Sequence, residues 1–561
     1  MIQSGLFDVS RRIFSNDPAE GPAVLSLYAA RGERLSCQLA LRRSPPTMKW
    51  ATDRSTGTRH WTVLAKGETT ENRTVRLRFD GTPSLRGRIR AVGNVPLLHH
   101  TVDTPLSELD GTAPGFIPDV LFEDDTLTAD INETRLFWIT IEIPHNHIPG
   151  KTQMSLVLED SEGTILRRFT IQLNISRIRL KHDSDFMVTH WLDLGSLYAY
   201  YQTNPEEERF WGILERYLAA LVRNGNNMAW IPFLSSPCID GTRIPQLLDV
   251  ERDRQNYRFN WDKVERYVNL CRKSGFRFFE FEHIASPWGA LYGICLCKKN
   301  RRLLWSKSPL ATGKTYTAFL QQMLPELSRK LREWHIADTS FLHISDEPQP
   351  KDLPAYLALR KLIRQNAPEL QTMDALSDYE FMEANAVDLP VPIVGCVKKF
   401  RKHGKRCMTY FCCGPKLGYV NRFLDTPLRT IRICGWLFQR FETAGFLHWA
   451  ANYWRTKNGE RMINPFLVSD GGNYPEWPSG DCFILYPGKD GPLDSIRGEL
   501  FFLGLQDKLL LETLHVSSKD PLLKNLRDFN QFPDDPTWIN HTHNALLLDN
   551  EKKYEKVFSS P

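Results

Sequence analysis

Residues 316–376 form the sequence YTAFLQQMLPELSRKLREWHIADTSFLHISDEPQPKDLPAYLALRKLIRQNAPELQTMDAL. Apolar residues at helical spacing predict helices over Tyr316–His335 and Leu353–Asn366, and short apolar runs predict strands over Ser340–Ser345 and Gln371–Leu376. Alternation of helices and strands is typical of a parallel sheet, because each crossover helix returns the chain to the same edge. The stretch therefore predicts two successive β/α units.

The same alternation extends over most of the chain after residue 183. It predicts eight strands, over Phe186–Leu192, Asn227–Leu234, Phe276–Ile284, Ser340–Ser345, Gln371–Leu376, Val391–Val397, Arg406–Cys412 and Gly445–Ala450. Amphipathic segments lie between most of these strands, and eight such units predict a closed (β/α)8 barrel of the TIM type. The connection Lys398–Lys405 is too short for a good helix, so the sixth unit is predicted to be degenerate.

The parts of the chain before and after this region have different patterns. Residues 1–180 contain short runs of alternating polar and apolar residues separated by turns, which predict an antiparallel β-sandwich. The predicted fold is therefore α/β, with a sandwich domain over 1–180 and a catalytic barrel over 183–517. Residues 518–561 are predicted to form a partly helical tail that packs on the barrel.

Composition excludes several functional classes. Lysine and arginine number 71 against 66 acidic residues, and no basic run is long enough to predict a nucleic-acid or membrane surface. The N-terminus lacks a signal-peptide pattern, and the 11 cysteines form no CxxC pair, so we expect a cytoplasmic protein without a metal site. Gly313-Lys314-Thr315 lacks the first glycine of a phosphate-binding loop, so no cofactor is predicted, and the oligomeric state cannot be read.

The fourth predicted strand ends in Ser345-Asp346-Glu347-Pro348. Active sites of such barrels lie at the ends of the strands, so both carboxylates are expected at the rim. Two neighbouring acids suit glycoside hydrolysis, in which one carboxyl donates a proton and the other stays ionised. The same pair is also compatible with a structural role as a cap of the following helix.

Adjacent carboxylates are too close for two acids that flank the anomeric carbon independently. They fit a substrate-assisted reaction, in which the 2-acetamido oxygen of the sugar is the nucleophile and the second carboxylate orients the acetamido group. Other strand ends supply candidate substrate-binding residues, each also compatible with a buried structural role: His190, His283, Trp288, Asp374, Tyr410, Trp449, Asn452 and Trp454.

Several segments resemble the family known as domain of unknown function 4091, which overlaps glycoside hydrolase family 123. These segments are Ile344–Pro348, Thr409–Pro415, Tyr419–Asn421, Asp425–Arg429, Gly435–Phe438, Gly445–Trp454, Gly480–Gly488 and Ser495–Glu499. Thr134–Ile139 and Pro144–Thr152 are similar to the N-terminal sandwich of the same proteins. The resemblance thus covers nearly the whole chain.

The resemblance implies a retaining β-N-acetylgalactosaminidase that works by the substrate-assisted route. It implies Glu347 as general acid/base, Asp346 as the residue that orients the acetamido group, and Tyr410 as a donor to the acetamido carbonyl. The chain departs from the family pattern at Cys482, where glycine is usual, and at Leu503–Asp507. These departures concern the identity of the sugar more than the chemistry.

Three functions remain open at this stage. The first is a β-N-acetylhexosaminidase, and the second is a glycosidase for sugars without a 2-acetamido group, in which Asp346 works with Glu282 or Asp374. The third is a carbohydrate-binding protein without catalysis on the same fold. The basic residues Lys298, Lys299, Arg301 and Arg302 lie in the predicted rim loop 286–308 and are either solvated or positioned to meet an acidic glycan.

Overall fold

The computed structural model describes residues 2–46, 48–63, 73–81, 85–182, 184–234, 246–298, 302–457, 459 and 461–558. Strands dominate the N-terminal third of the chain. They are β1 (Ile2–Phe7), β2 (Val24–Arg31), β3 (Arg34–Arg43), β4 (Met48–Thr52), β5 (Arg59–Val63), β6 (Arg73–Phe79), β7 (Arg86–Leu97), β8 (Gly115–Phe122), β9 (Thr126–Ala129), β10 (Thr134–Glu142), β11 (Gly150–Asp160) and β12 (Ile165–Arg179).

Shorter strands alternate with helices in the rest of the chain. The strands are β13 (Met187–His190), β14 (Met228–Ile231), β15 (Asp249–Asp253), β16 (Asn256–Asn260), β17 (Phe278–Phe281), β18 (Ser340–Leu342), β19 (Gln371–Ala375), β20 (Leu389–Val391), β21 (Thr409–Tyr410), β22 (Gly445–His448), β23 (Tyr486–Pro487) and β24 (Pro492–Ser495). The helices are α1 (Leu194–Tyr201), α2 (Glu208–Arg223), α3 (Asp262–Ser274), α4 (Lys314–Glu333), α5 (Leu353–Asn366), α6 (Glu380–Glu383), α7 (Val397–Lys402), α8 (Leu428–Arg432), α9 (Cys434–Arg440), α10 (Ile496–Thr513) and α11 (Trp538–Phe558).

Two N-terminal sheets pack around a shared apolar core. One sheet has the order β1-β3-β10-β7-β8-β24-β23 and the other the order β2-β12-β11-β6-β9. Alternation along β10 directs Phe137 and Ile139 into the core between the sheets, where they meet Leu156 and Ile171 of the second sheet. Trp138, on the opposite face of β10, is buried against the following part of the molecule.

The second N-terminal sheet differs from the prediction in one pairing. Strands β2 and β12 run parallel, with Leu27 opposite Leu173, so the predicted sandwich is not antiparallel throughout. Strands β3–β11 lie between these two in the chain. No hairpin turn therefore constrains their relative direction, and a long connection permits parallel pairing.

Eight of the remaining strands form curled parallel sheets, with the orders β13-β22-β21 and β14-β17-β18-β19-β20. Each of these strands lies within or beside one of the eight predicted runs. The helices between them bury one face, as α5 does with Tyr356, Leu359 and Ile363. The described chain therefore has a mixed α/β fold with a β-rich N-terminal region.

The sixth predicted strand is displaced. Strand β20 ends at Val391, and the chain continues through a short 3₁₀ turn into α7. Val394, Val397 and Phe400 are buried at intervals of three residues, which is a helical spacing. The run of β-branched residues favoured a strand, but the burial of these side chains outweighs that local preference.

The C-terminal part of the chain returns to the N-terminal sheets. Strand β24 pairs antiparallel with β8, with Asp494 opposite Leu121. Helix α11 packs on β2 and β12, and it also contacts the α/β part, where Arg432 donates to the Asn540 side chain at 2.7 Å and the rings of Trp436 and Trp538 meet. The contacts with the N-terminal sheets join residues more than three hundred positions apart in the chain, so local sequence patterns cannot predict them. No helix among the described residues has the length and apolar character needed to cross a membrane.

Candidate active site

The predicted carboxylates lie in the turn that follows β18. Along this segment Leu342 and Ile344 pack toward the helices, while His343 points to the opposite side, into the curled sheet. Three hydrogen bonds hold this turn to the loop after β17 and to the end of β19. The Ser345 hydroxyl donates to the Ser286 carbonyl (2.8 Å), Trp288 N–H to the Asp346 carbonyl (2.8 Å), and Glu347 N–H to the Ala375 carbonyl (3.0 Å).

Glu347 has an unusual backbone conformation. Its φ is +42°, in the left-handed region that non-glycine residues avoid at a cost of about 1–3 kcal/mol. Such strain persists where the surroundings hold it, and it is concentrated at functional sites. The turn directs the carboxylate toward β21, where the Tyr410 hydroxyl donates to Glu347 Oε1 at 2.5 Å.

Burial, followed by the charges of Glu347 and Asp374, raises the pKa of Asp346 to about 7, and the positive charge of His343 partly offsets this effect. Two ionised carboxylates repel each other strongly where water is excluded. Asp346 is therefore partly protonated near neutral pH.

A buried polar layer lies beneath this pair. Its centre is His343, whose Nε2 contacts Glu280 at 3.0 Å and whose Nδ1 contacts Asp374 at 3.1 Å. Burial opposes the charged form of His343, but the bonds to Asp374 and Glu280 outweigh it and raise its pKa to about 9. A charged His343 donates from both nitrogens and balances the two buried carboxylates.

Aromatic side chains form one wall of the site. Trp191 and Trp230 stack with their ring centroids 4.3 Å apart, and both meet the rings of His283 and His343. Burial and the charge of His343 lower the pKa of His283 well below its usual value. His283 is therefore neutral, and its buried Nε2 has no hydrogen-bond partner among the described residues. Aromatic faces with a few polar atoms are typical of sugar sites.

A family model described as the catalytic domain of glycoside hydrolase 123 matches residues 191–514. The chain belongs to glycoside hydrolase family 123. It is therefore an enzyme of carbohydrate metabolism that hydrolyses a carbohydrate substrate. A search of curated proteins finds no match to this family 123 enzyme.

Solved structures agree with this assignment at the level of the fold. A family 123 glycoside hydrolase from Clostridium perfringens, described in connection with glycolipid glycan hydrolysis, aligns over 100% of this chain and 99% of its own. The TM-score is 0.74 and the identity 15%, so the likeness is one of fold. The endo-β-1,4-mannanase of Thermotoga petrophila aligns over 57% of this chain and 76% of its own, with 10% identity. Its TM-score of 0.35 is too low for an inference.

Asp374 has a different environment from the one predicted for a substrate-binding residue of the glycoside hydrolase. Its carboxylate is buried and accepts from the Ile344 N–H (3.1 and 3.0 Å), from the Tyr356 hydroxyl and from His343. All these partners belong to the protein. Asp374 therefore lies in the floor of the site, with its carboxylate buried and bonded to protein groups.

His190 is not at the rim of the enzyme, although it was predicted there. Its ring is buried between β13 and α10, with Nδ1 2.9 Å from the Asn226 side-chain oxygen and an edge contact to Phe501. Side chains alternate along β13, so Thr189 and Trp191 point inward and His190 points outward. Trp191 therefore lines the cleft, and Trp230, which was not among the predicted site residues, stacks on it.

Two further residues that were predicted as substrate contacts, Asn452 and Trp454, are completely buried in this glycoside hydrolase. The Asn452 amide binds both the N–H (2.8 Å) and the carbonyl (3.1 Å) of Asp193. Trp454 is completely buried and donates from Nε1 to the Leu485 carbonyl at 3.0 Å. These side chains tie the loop after β22 to its neighbours, which leaves them no surface for a sugar.

Three of the predicted residues border the cleft of the enzyme. Trp288 is 67% exposed and lies beside the Asp346 backbone. Trp449 is half-buried, and its indole donates to Asp481 at 2.9 Å. Tyr410 contacts Glu347, as described above.

Of the predicted basic rim loop, residues 299–301 lie outside the described residues, so the prediction about acidic glycans remains a prediction.

Two groups of His, Asp and Glu side chains in the described part of the enzyme have donor atoms close enough for a metal ion. The first contains His283, His343 and Asp374, and the second Glu33, Asp507 and His543. In the second group the carboxylates are engaged by His543 and Arg432. In the first, His343 uses both nitrogens for the two buried acids, so neither group presents an open set of ligands.

Proposed function

We propose that this glycoside hydrolase is a retaining β-N-acetylhexosaminidase, similar to N-acetylgalactosaminidases, that uses substrate-assisted catalysis. The observation that carries the proposal is the adjacent pair Asp346 and Glu347, with the Tyr410 hydroxyl bonded to Glu347. Family membership supports hydrolysis of glycosidic bonds. The acids themselves support the mechanism, because neighbours in sequence cannot flank the anomeric carbon as separate acid and nucleophile.

The reaction has two steps in this proposal. In the first, Glu347 protonates the glycosidic oxygen while the substrate's acetamido oxygen attacks C1 and forms an oxazolinium. Asp346 accepts the acetamido N–H and stabilises the positive charge that develops. In the second step Glu347 takes a proton from water, which attacks C1 and restores the configuration.

The contacts in the free enzyme suggest how the proton reaches Glu347. Before substrate binds, Asp346 has a pKa raised to about 7, and Glu347 accepts the Tyr410 hydroxyl. The acetamido N–H then donates to Asp346 and favours its ionised form, while the acetamido carbonyl takes the Tyr410 hydroxyl away from Glu347. The proton of Asp346 thus moves to Glu347, the group that must donate it.

Substrate-assisted catalysis fits these contacts better than a mechanism with a second independent acid. Asp374 is buried and bonded to His343, Tyr356 and backbone. Glu282 accepts the backbone N–H of Leu234. Both carboxylates are buried and already bonded within the protein, which favours the acetamido group over either of them as the nucleophile.

We also propose that the curled sheets close into a (β/α)8 barrel, with domains over 1–180 and 183–517 and the tail over 518–561. Support comes from both junctions between the sheets. Asn227 N–H donates to the Val188 carbonyl at 3.1 Å, which links β14 to β13. A parallel bridge between Ile393 and Tyr410 links the end of β20 to β21.

The proposal is tested with aryl glycosides that differ only at carbon 2. We expect release of the aryl group from the β-N-acetylgalactosaminide and none from the β-galactoside, because only the first carries the nucleophile. Comparable rates on both compounds, or turnover of the plain galactoside alone, would contradict substrate assistance. The β-N-acetylglucosaminide in the same panel reports the selectivity at carbon 4.

The pH profile should report the proton of Asp346. Asp346 loses this proton as pH rises through about 7, its raised pKa, and none is then left to pass to Glu347. We therefore expect kcat/KM to fall above pH of about 7, with activity retained on the acidic side of that value. A plateau that extends to pH of about 9 would show that the proton of Asp346 is not the one used in the reaction.

A further inference from the structure

The described chain contains two adjacent cysteines in the cleft, Cys412 and Cys413, in the loop that follows β21. Their sulfur atoms lie 3.7 Å apart, within reach of an S–H···S hydrogen bond. Both are half-buried, and neither takes part in the proposed reaction. Cys412 packs against an apolar cluster that contains Met408, Tyr410 and Leu447, and Trp191 packs against the same cluster. The pair thus lies two residues from the Tyr410 hydroxyl that binds Glu347.

We propose that Cys412 and Cys413 form a thiol modification site that closes into a vicinal disulfide by exchange with a small disulfide, and that closure lowers the activity of the enzyme. The inference goes beyond the proposed function. It rests on the contact between the two sulfurs and on their position next to the residue that contacts Glu347.

The two thiols are suited to different steps of the exchange. The hydrogen bond from Cys412 lowers the pKa of Cys413, while the same bond and burial raise the pKa of Cys412. A lowered pKa favours the thiolate, which is the attacking species. Cys413 therefore attacks the small disulfide first, and Cys412 is the resolving thiol beside it.

The exchange is balanced without a further oxidant. The Cys413 thiolate attacks one sulfur of glutathione disulfide, which breaks that S–S bond and releases one glutathione thiolate. Cys412 loses its proton and attacks the Cys413 sulfur of the mixed disulfide, which forms the ring and releases the second glutathione. The two cysteines are oxidised, and the small disulfide is reduced to two thiols.

Closure of the ring changes the backbone next to Tyr410. Adjacent Cα atoms are about 3.8 Å apart, closer than the ~4.4–6.8 Å of ordinary disulfides, so the ring can form only with local adjustment and is readily reduced. The Cys412 N–H bond to the Gly414 carbonyl and the Asn421 bond to the Cys412 carbonyl hold the present conformation. Displacement of Tyr410 from Glu347 is expected to lower activity by about 10- to 100-fold, the cost of one charged hydrogen bond.

The test treats the full-length enzyme with glutathione disulfide, blocks remaining thiols with N-ethylmaleimide and measures the mass of the peptide that contains both cysteines. We expect this peptide to lose two hydrogens and take up no label, with activity lost in parallel and restored by dithiothreitol. The mass needs no substrate, so this inference and the proposed function can fail separately. Activity is followed on any aryl glycoside that the enzyme cleaves.

Two variants complete the design, and each is compared with its own reduced form. Cys413→Ser should make activity insensitive to the disulfide, whereas Cys295→Ser/Cys297→Ser, a half-buried pair elsewhere in the chain, should leave the sensitivity intact. Double labelling of the Cys412–Cys413 peptide, a stable glutathione adduct without the ring, or a closed ring with undiminished activity would each overturn the proposal.

Discussion

Replacement of Glu347 by glutamine is expected to lower kcat/KM on an aryl β-N-acetylgalactosaminide by about 10²–10⁴-fold, the usual contribution of a general acid. The side chain keeps its size and can still accept the Tyr410 hydroxyl, but it has no proton to give. The loss should shrink when the leaving group is a dinitrophenol, because such a group departs without protonation. Steady-state rates on two aryl glycosides of different acidity measure both effects.

A matched control is Glu380→Gln, the same chemical change on an exposed residue of α6, which follows β19. This control should behave like the unmodified enzyme. Full activity of Glu347→Gln would remove Glu347 from its proposed role. An equal loss on both leaving groups would show that Glu347 acts by binding or folding and not as an acid.

Replacement of Asp346 by asparagine should lower kcat/KM on the N-acetyl sugar by about 10²–10³-fold, the range measured when one group that stabilises a developing charge is removed. Asparagine resembles the protonated acid, so it cannot balance the positive charge of the oxazolinium. In contrast with Glu347→Gln, a better leaving group should not rescue this variant. Kinetics on the same pair of aryl glycosides test this difference.

Inhibitor binding separates the two acids further. A thiazoline analogue of the oxazolinium should bind Asp346→Asn much more weakly than the unmodified enzyme, because tight binding of such analogues requires the groups that stabilise the transition state. Glu347→Gln should keep most of this affinity. Asp378→Asn, an exposed acid in the loop after β19, is the control. Equal affinity of Asp346→Asn and the control would refute the orienting role of Asp346.

The outline of the fold was predictable because it depends on repeated local patterns. Eight apolar runs with amphipathic helices between them identified the parallel strands, and the position of Asp346 and Glu347 after β18 followed from the polar residues that end an apolar run. The sequence also resembled glycoside hydrolase family 123, and the match to the catalytic domain of that family confirms this resemblance.

The different positions of His190 and Trp191 have a physical origin. Substrate contact depends on which way a side chain points, and a shift of one residue reverses this direction along a strand. His190 and Trp191 are neighbours, yet the first is buried against α10 and the second lines the cleft. Strands of three to five residues leave too few alternating positions for the sequence to specify this register.

Local periodicity in the sequence was thus sufficient for the order of strands and helices and for the location of the acidic pair, since both are encoded by neighbouring residues. Tertiary structure alone brought Tyr410 to Glu347, placed His343 between Glu280 and Asp374, and raised the pKa of Asp346. It also joined β24 to β8 and α11 to β2. Each of these features is a contact between distant segments, whose energy depends on burial and distance in the folded chain and leaves no local pattern in the sequence.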